Sequence, residues 1–349
     1  MKNLPLTSQT EISGYQFYIF PYTILYTFPE YKDYLTEHYM QCFGYIVDDL
    51  NHMTFGYSDG VSYNDMSYSP GPLDITYNSY TVGLQLDVKK YIISSIDNNN
   101  YVVIFVDEYY MENRPAYQKY HRLHDILIFG YDDEKFNCFT FDRRPSFSSF
   151  SQNQIDDAYK SGHSEFLKLS EDLSQWIEEK SIISVKLRNV RQQYNFSSER
   201  FVKKLKLYVD GKFDDSYSSF VMPEEKCYIG VYNTKLIKYH IDNPSENVYI
   251  LYPAIHAWYE SKRNLLNKIK YCREKNNFTN NELISDYESK VERQCEKIRL
   301  SFLKYQRSGT LNNEAVSILL NSIFTHEFNI INCIHDELIK WCPFSDNSL

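Results

Sequence analysis

Three short apolar runs between Tyr101 and Asp142 restrict this chain more than any other feature. Tyr101-Val102-Val103-Ile104-Phe105-Val106-Asp107 is apolar almost throughout and rich in β-branched residues. That composition predicts a strand covered on both faces. His124-Asp125-Ile126-Leu127-Ile128-Phe129-Gly130-Tyr131-Asp132-Asp133 follows and ends in turn-forming residues, and 136–142 forms a third run. Runs this short, joined by a tight turn, predict an antiparallel sheet built around 101–142. If 124–131 and 136–142 pair as a hairpin, Asp142 returns beside His124, where a carboxylate can fix the imidazole tautomer.

The remaining pattern changes near residue 150. Before it, 15–28 is apolar and aromatic up to Pro29, 30–45 reads as a helix followed by a strand, and 54–80 reads as loop with short strands. Residues 83–96 predict an amphipathic helix with Leu84, Val88, Ile92 and Ile96 on its apolar face. Beyond 151 the period is helical: 164–180, then 196–210 stopping at Asp210-Gly211. Residues 217–254 look mixed, with short strands near 226–232 and 247–252. Long helical patterns follow near 254–275, 280–306 and 311–341, the last two separated by Ser308-Gly309. The expected architecture is α+β: an antiparallel-sheet domain over 1–150, then a mainly helical domain over 151–349 with a few short strands. The long C-terminal helices suit either a homodimer interface or a cover for the first domain.

Charge and composition narrow the function classes. The net charge is −9, and Lys203-Lys204-Leu205-Lys206, which reads as one helix face, is among the few basic runs. A nucleic-acid partner requires a positive face, so none is expected. No run approaches the ~20 apolar residues of a membrane span, and the first residues lack a signal-peptide apolar region. A cytoplasmic protein without a membrane partner is the expectation. The seven cysteines are scattered with no CxxC pair, which predicts neither a zinc site nor a disulfide framework. No phosphate loop or other cofactor motif is present, and no cofactor is expected. The 33 Tyr and 22 Phe accompany abundant Asn, Lys and Ile, a bias that an AT-rich genome produces.

Val106-Asp107-Glu108-Tyr109-Tyr110, Tyr117, and His121-Arg122-Leu123-His124 running through Asp133 resemble the butirosin-biosynthesis acyltransferase family (the BtrH-type N-terminal domain). The resemblance is clearest over 100–145 and weaker over 12–50. It implies a papain-like, cysteine-protease-like fold and an acyltransferase that forms amides from carrier-bound acyl thioesters in nonribosomal-peptide or other secondary-metabolite biosynthesis. Amide-forming enzymes such as that of closthioamide assembly are similar. An acyl or peptidyl carrier protein, or a small acyl thioester, is the implied partner. Arg143, Arg144, Lys203, Lys204 and Lys206 are candidates for a local basic patch that docks an acidic carrier.

By that resemblance His124 is the general base and acid, and Asp142 its orienter. Phe17, Tyr18, Tyr109 and Tyr110 are the aromatic residues expected against a substrate. The family's cysteine stands at a helix N-terminus, where the macrodipole lowers its pKa. Here Phe17 or Tyr18 occupies that place, and Cys42 is the only cysteine before His124. Cys42 is therefore either the nucleophile or a core residue, while Ser13, Thr23 and Thr27 offer hydroxyls. If no nucleophile operates, the chain is a catalytically silent homologue that binds a biosynthetic partner or a metabolite. His121 competes with His124 but is expected in a solvated loop. Asp125 is expected on the opposite face from His124. His326-Glu327 and His335-Asp336-Glu337 read as a solvated helix face with no metal, Cys138 reads as core, and His256 and Trp258 open a long helix.

Overall fold

The computed structural model describes residues 1–47, 51–63, 71–79, 85, 87–141, 144–166, 168, 180–188, 194–214, 227–246, 248–276 and 280–341. The chain is mixed α and β, with an antiparallel sheet and a helical C-terminal region. It forms two compact units that interleave in sequence: Met1–Thr10, Ile19–Pro29 and Ser62–Gln192 in the first; Glu11–Tyr18, Glu30–Val61 and Gln193–Leu349 in the second. This division differs from a single boundary at 150.

A strand from beyond 150 explains part of the difference. The first unit's sheet runs β4 (Leu73–Asn78), β9 (Ile182–Leu187), β5 (Tyr101–Asp107), β6 (Leu123–Tyr131), β7 (Lys135–Phe141), β8 (Pro145–Ser151), with β1 (Lys2–Asn3) also on β6. Every pairing in it is antiparallel. β9 inserts between β4 and β5, so the sheet is complete only when residue 187 is reached.

β5 is buried at all seven positions, as its unbroken apolar run requires. Helices Val88–Asp97 and Gln152–Phe166 pack on β5 and β6 and touch each other. Val88, Ile92 and Ile96 are buried in the first of these, and Leu84 lies outside the described residues. Phe20 meets Phe139 edge-on at 5.9 Å and stacks on Tyr63 at 6.2 Å. A helix spans Gln152–Phe166, and most of the helix expected at 164–180 lies outside the described residues. β8 starts at Pro145 on the sheet's edge, where a missing backbone N–H is tolerated.

In the second unit β2 (Cys42–Val47) pairs with β3 (His52–Tyr57) and with β10 (Tyr228–Ile229). Helix Ser198–Asp210 is capped by Ser197 at one end and by left-handed Gly211 (φ 68°) at the other, the stop read from Asp210-Gly211. Helices Tyr252–Asn276, Asn281–Tyr287, Arg293–Ser308 and Asn313–Trp341 follow, with a π turn at Glu288–Glu292. Helix Asn233–Asp242 stands where mixed structure was expected, and among the described residues of 247–252 a single bridge forms, at Tyr249. No described helix is long and apolar enough to cross a membrane.

The helices of this unit meet around two buried charges. Lys262 and Glu327 are both fully buried, with Nζ 3.0 Å from Oε2. Lys262 also donates to the Tyr208 hydroxyl at 2.8 Å, and Tyr208 and Tyr287 donate to Glu327 Oε1 at 2.7 and 3.0 Å. Glu327 thus does not belong to a solvated face. Its neighbours His326 and Asp336 gave a polar sequence context, but position 327 itself faces the other helices. Glu327→Gln leaves the Lys262 ammonium buried without its countercharge and is expected to lower unfolding free energy by about 3–5 kcal/mol in urea titrations. The double variant Lys262→Met/Glu327→Leu is expected to recover part of that loss, since only two tyrosine hydroxyls then lack an acceptor. A single-variant loss below about 1 kcal/mol would contradict a central role for the pair.

Candidate functional site

The C-terminal end of β5 and the start of β6 gather a cluster of charged side chains. Asp107, the last residue of β5, pairs with Leu123, the first of β6. The chain between them leaves through a tight turn at Glu108–Tyr110 and returns through His121 and Arg122. This geometry makes Asp107 the anchor of both loop ends. Its Oδ1 accepts the backbone N–H of Tyr109 at 3.0 Å and of Arg122 at 3.1 Å. Its Oδ2 accepts the Ser161 hydroxyl at 2.8 Å and lies 2.6 Å from His121 Nδ1.

That contact assigns the Nδ1 proton to His121 and leaves Nε2 as the free ring nitrogen. The Tyr109 ring stacks on His121 at 4.6 Å, and the imidazole remains 43% exposed. A buried carboxylate thus orients a half-exposed imidazole. His121 lies in the loop and is exposed, as expected, and the return of the loop also brings it against the end of β5. The sequence signal was an aspartate closing one strand and a histidine two residues before the next.

His124 has different company. Its Nδ1 lies 3.2 Å from the Asp125 carbonyl, 3.8 Å from Asp125 Oδ1 and 3.8 Å from Glu108 Oε1. Asp125 was expected on the opposite face; at the first residues of the strand its carboxylate instead reaches the ring. Asp142 lies outside the described residues, as does Arg143. Glu108 is fully buried and is held by Arg114 through Nε at 2.7 Å and Nη2, and by Arg122 Nη1 at 3.2 Å. Arg114 also donates to the Phe141 carbonyl at 3.0 Å. Asp125 accepts a hydrogen bond from Tyr63, and burial raises the pKa of both groups.

Cys42 lies elsewhere, in the second unit, as the first residue of β2. It is fully buried, and the Asn233 amide donates to its carbonyl at 2.9 Å. Burial pushes its thiol up to about 11, although the Lys262 ammonium and a Ser261 hydrogen bond pull the other way. It opens a strand, so no helix dipole acts on it. Burial also drives the Cys138 thiol far up. Tyr18 is buried among Tyr39 and Tyr57, with its hydroxyl accepting the Tyr57 N–H at 3.0 Å. Phe17 is half-buried and stacks on Tyr15 at 5.3 Å. Lys204, offered for carrier docking, is buried and donates to the Glu37 carbonyl at 2.7 Å and to Asp59 at 3.2 Å. Lys203, Lys206 and Arg144 are exposed.

Ser13 is the one hydroxyl candidate that meets a histidine. Its Oγ is 3.0 Å from His256 Nε2, but it also donates to Glu260 Oε1, while its backbone N–H donates to Glu260 Oε2 at 2.7 Å. A carboxylate that clamps the serine itself, with His256 Nδ1 left unpartnered, is a loop anchor and not a relay. Thr23 and Thr27 are in helix-end positions, with Thr27 Oγ1 donating to the Thr23 carbonyl at 2.8 Å. Trp258 is fully buried.

Tyr109 and Tyr110 line a cavity of about 580 Å³ in the first unit, together with Glu112, Tyr117, Lys135 and Asp157. Asp107, His121 and Glu165 bring three potential metal-ligand atoms within 4.8 Å of one another. Each carboxylate there already has a cationic or hydrogen-bonding partner, including Lys168 on Glu165 at 2.6 Å. Neither a known protein family nor a curated protein matches this chain.

The Asp107 anchor has a measurable pH signature. Burial alone would raise its pKa, but hydrogen bonds from His121, Tyr109, Ser161 and Arg122 together hold it below the usual carboxylate value. A lowered native pKa gives stability that is present above the unfolded carboxylate pKa and is lost as pH falls through the native one. Asp107→Asn is therefore expected to be less stable than the parent near pH 7, with the gap in urea midpoint closing below about pH 4. A gap unchanged down to about pH 3 would contradict the assignment.

Proposed function

We propose that this chain is a binding protein that shares the architecture of the thioester-dependent acyltransferases its hairpin resembles and works without a cysteine nucleophile. The burial of Cys42 carries this reading. A thiol with a pKa of about 11 is ionised to the extent of roughly one part in ten thousand at neutral pH. The nucleophilic cysteines of papain-like enzymes lie well below 7. Aromatic side chains at Phe17 and Tyr18 support the same reading, because the Tyr18 ring and hydroxyl are taken up in packing against Tyr39 and Tyr57.

The occupant is a small metabolite held without covalent chemistry in the cavity beside Tyr109 and Tyr110. Both residues belong to the segment that carries the family resemblance. The cavity volume lies in the range of small-molecule sites. The acyltransferase alternative requires Cys42, His124 and Asp142 to act together on a carrier-bound thioester. It would be recognised by a fast thiol that depends on His124.

Iodoacetamide distinguishes the two readings. In the native protein near pH 7, exposed Cys333 is expected to react while Cys42 and Cys138 stay unmodified. Peptide mass analysis of the His124→Ala variant is expected to give the same pattern. Rapid, selective alkylation of Cys42 that disappears in His124→Ala would overturn the proposal in favour of the acyltransferase.

A further inference from the structure

The cavity at Tyr109 and Tyr110 has features that specify a class of ligand. The two rings lie 5.2 Å apart at 71° to one another, so they form two walls of a box. Tyr109 is fixed from behind by the His121 stack and by its backbone bond to Asp107. Its carbonyl accepts the N–H of Gln118, so the opposite edge of the loop is tied to it at 3.0 Å. The wall is therefore built before any ligand arrives.

The charge of the lining is the second observation. Glu112 and Asp157 both border the cavity, against the single ammonium of Lys135. Neither carboxylate makes a hydrogen bond or an ion pair among the described residues. The lining is thus one charge negative, two carboxylates against one ammonium, beside two perpendicular π-faces. An aromatic face attracts a cation through its quadrupole, and an edge-to-face pair of rings can contact a rounded cation from two sides. Phosphate or carboxylate ligands would meet the wrong charge.

We infer that the cavity binds a small organic cation whose head is an alkylated ammonium group. The alkyl groups of the head would pack on Tyr109 and Tyr110, while Glu112 and Asp157 supply long-range attraction. This rests on the non-covalent reading above and adds the ligand class to it. Thiol alkylation decides that reading, while cation binding tests the cavity whichever way the alkylation falls.

The test is calorimetric titration of the full chain with choline chloride at constant ionic strength. The control is 3,3-dimethylbutan-1-ol, which has the same shape without the charge. Saturable choline binding is expected, with the neutral analogue at least about tenfold weaker. Tyr110→Ala and Glu112→Gln change exposed positions, so each is expected to keep the parent's thermal midpoint. Each is also expected to weaken choline binding roughly three- to tenfold. No saturation up to about 10 mM choline, equal binding of the neutral analogue, or unchanged affinity in both variants would each overturn the assignment.

Discussion

The Lys262–Glu327 pair is the constraint around which the second unit is arranged. Taking an ammonium and a carboxylate out of water costs several kcal/mol per ion, and only close pairing with further hydrogen bonds offsets it. The helices Tyr252–Asn276 and Asn313–Trp341 supply the two charges, while Ser198–Asp210 and Asn281–Tyr287 supply the tyrosine hydroxyls that complete Glu327. Four helices therefore have to meet in one register, because a slip of one residue on any of them strands a buried polar group. Lys268 shows the same economy of charge nearby. Burial pulls it down to about 8, and its ammonium closes the carbonyls of Leu35 and His38 at the end of the short helix Lys32–Glu37.

These buried charges also decide the state of Cys42. The Lys262 ammonium would favour a thiolate, yet its field is already committed to Glu327, and desolvation of the sulfur outweighs the remainder. A catalytic cysteine requires an uncommitted positive potential and some access to water. The second unit offers Cys42 neither. Its polar interior serves the packing of helices.

Local pattern was enough to read the strands β5, β6 and β7 and the stop at Gly211, because each depends on runs of a few residues and on turn chemistry. What depends on long-range pairing was not readable. β9 is six residues of ordinary strand composition, and nothing in Ile182–Leu187 says that it belongs between Leu73–Asn78 and Tyr101–Asp107. Glu327 and Lys204 were read as solvated because their sequence neighbours are polar, whereas a helix changes its exposure every residue. Tyr109 and Tyr110 were read as facing a substrate, and both line a cavity. An aspartate at a strand end beside a histidine was expected at 124 and 142; Asp142 lies outside the described residues, and a pair of that type is found at 107 and 121.

His124 in the family-like hairpin stands among buried acids. Glu108 is buried with two arginines around it, and Asp125 is buried against Tyr63. Two carboxylates and two guanidiniums in so small a volume leave little room for a further charge, and His124 lies 3.8 Å from both acids. An imidazole fits between them and offers a ring nitrogen to both acids. An apolar residue there would remove polar contact from two buried acids, and a lysine would add a fixed cation to a balanced cluster. Histidine at this position satisfies the electrostatics of the strand start. At the neighbouring strand end, Asp107 and His121 support the tyrosine wall.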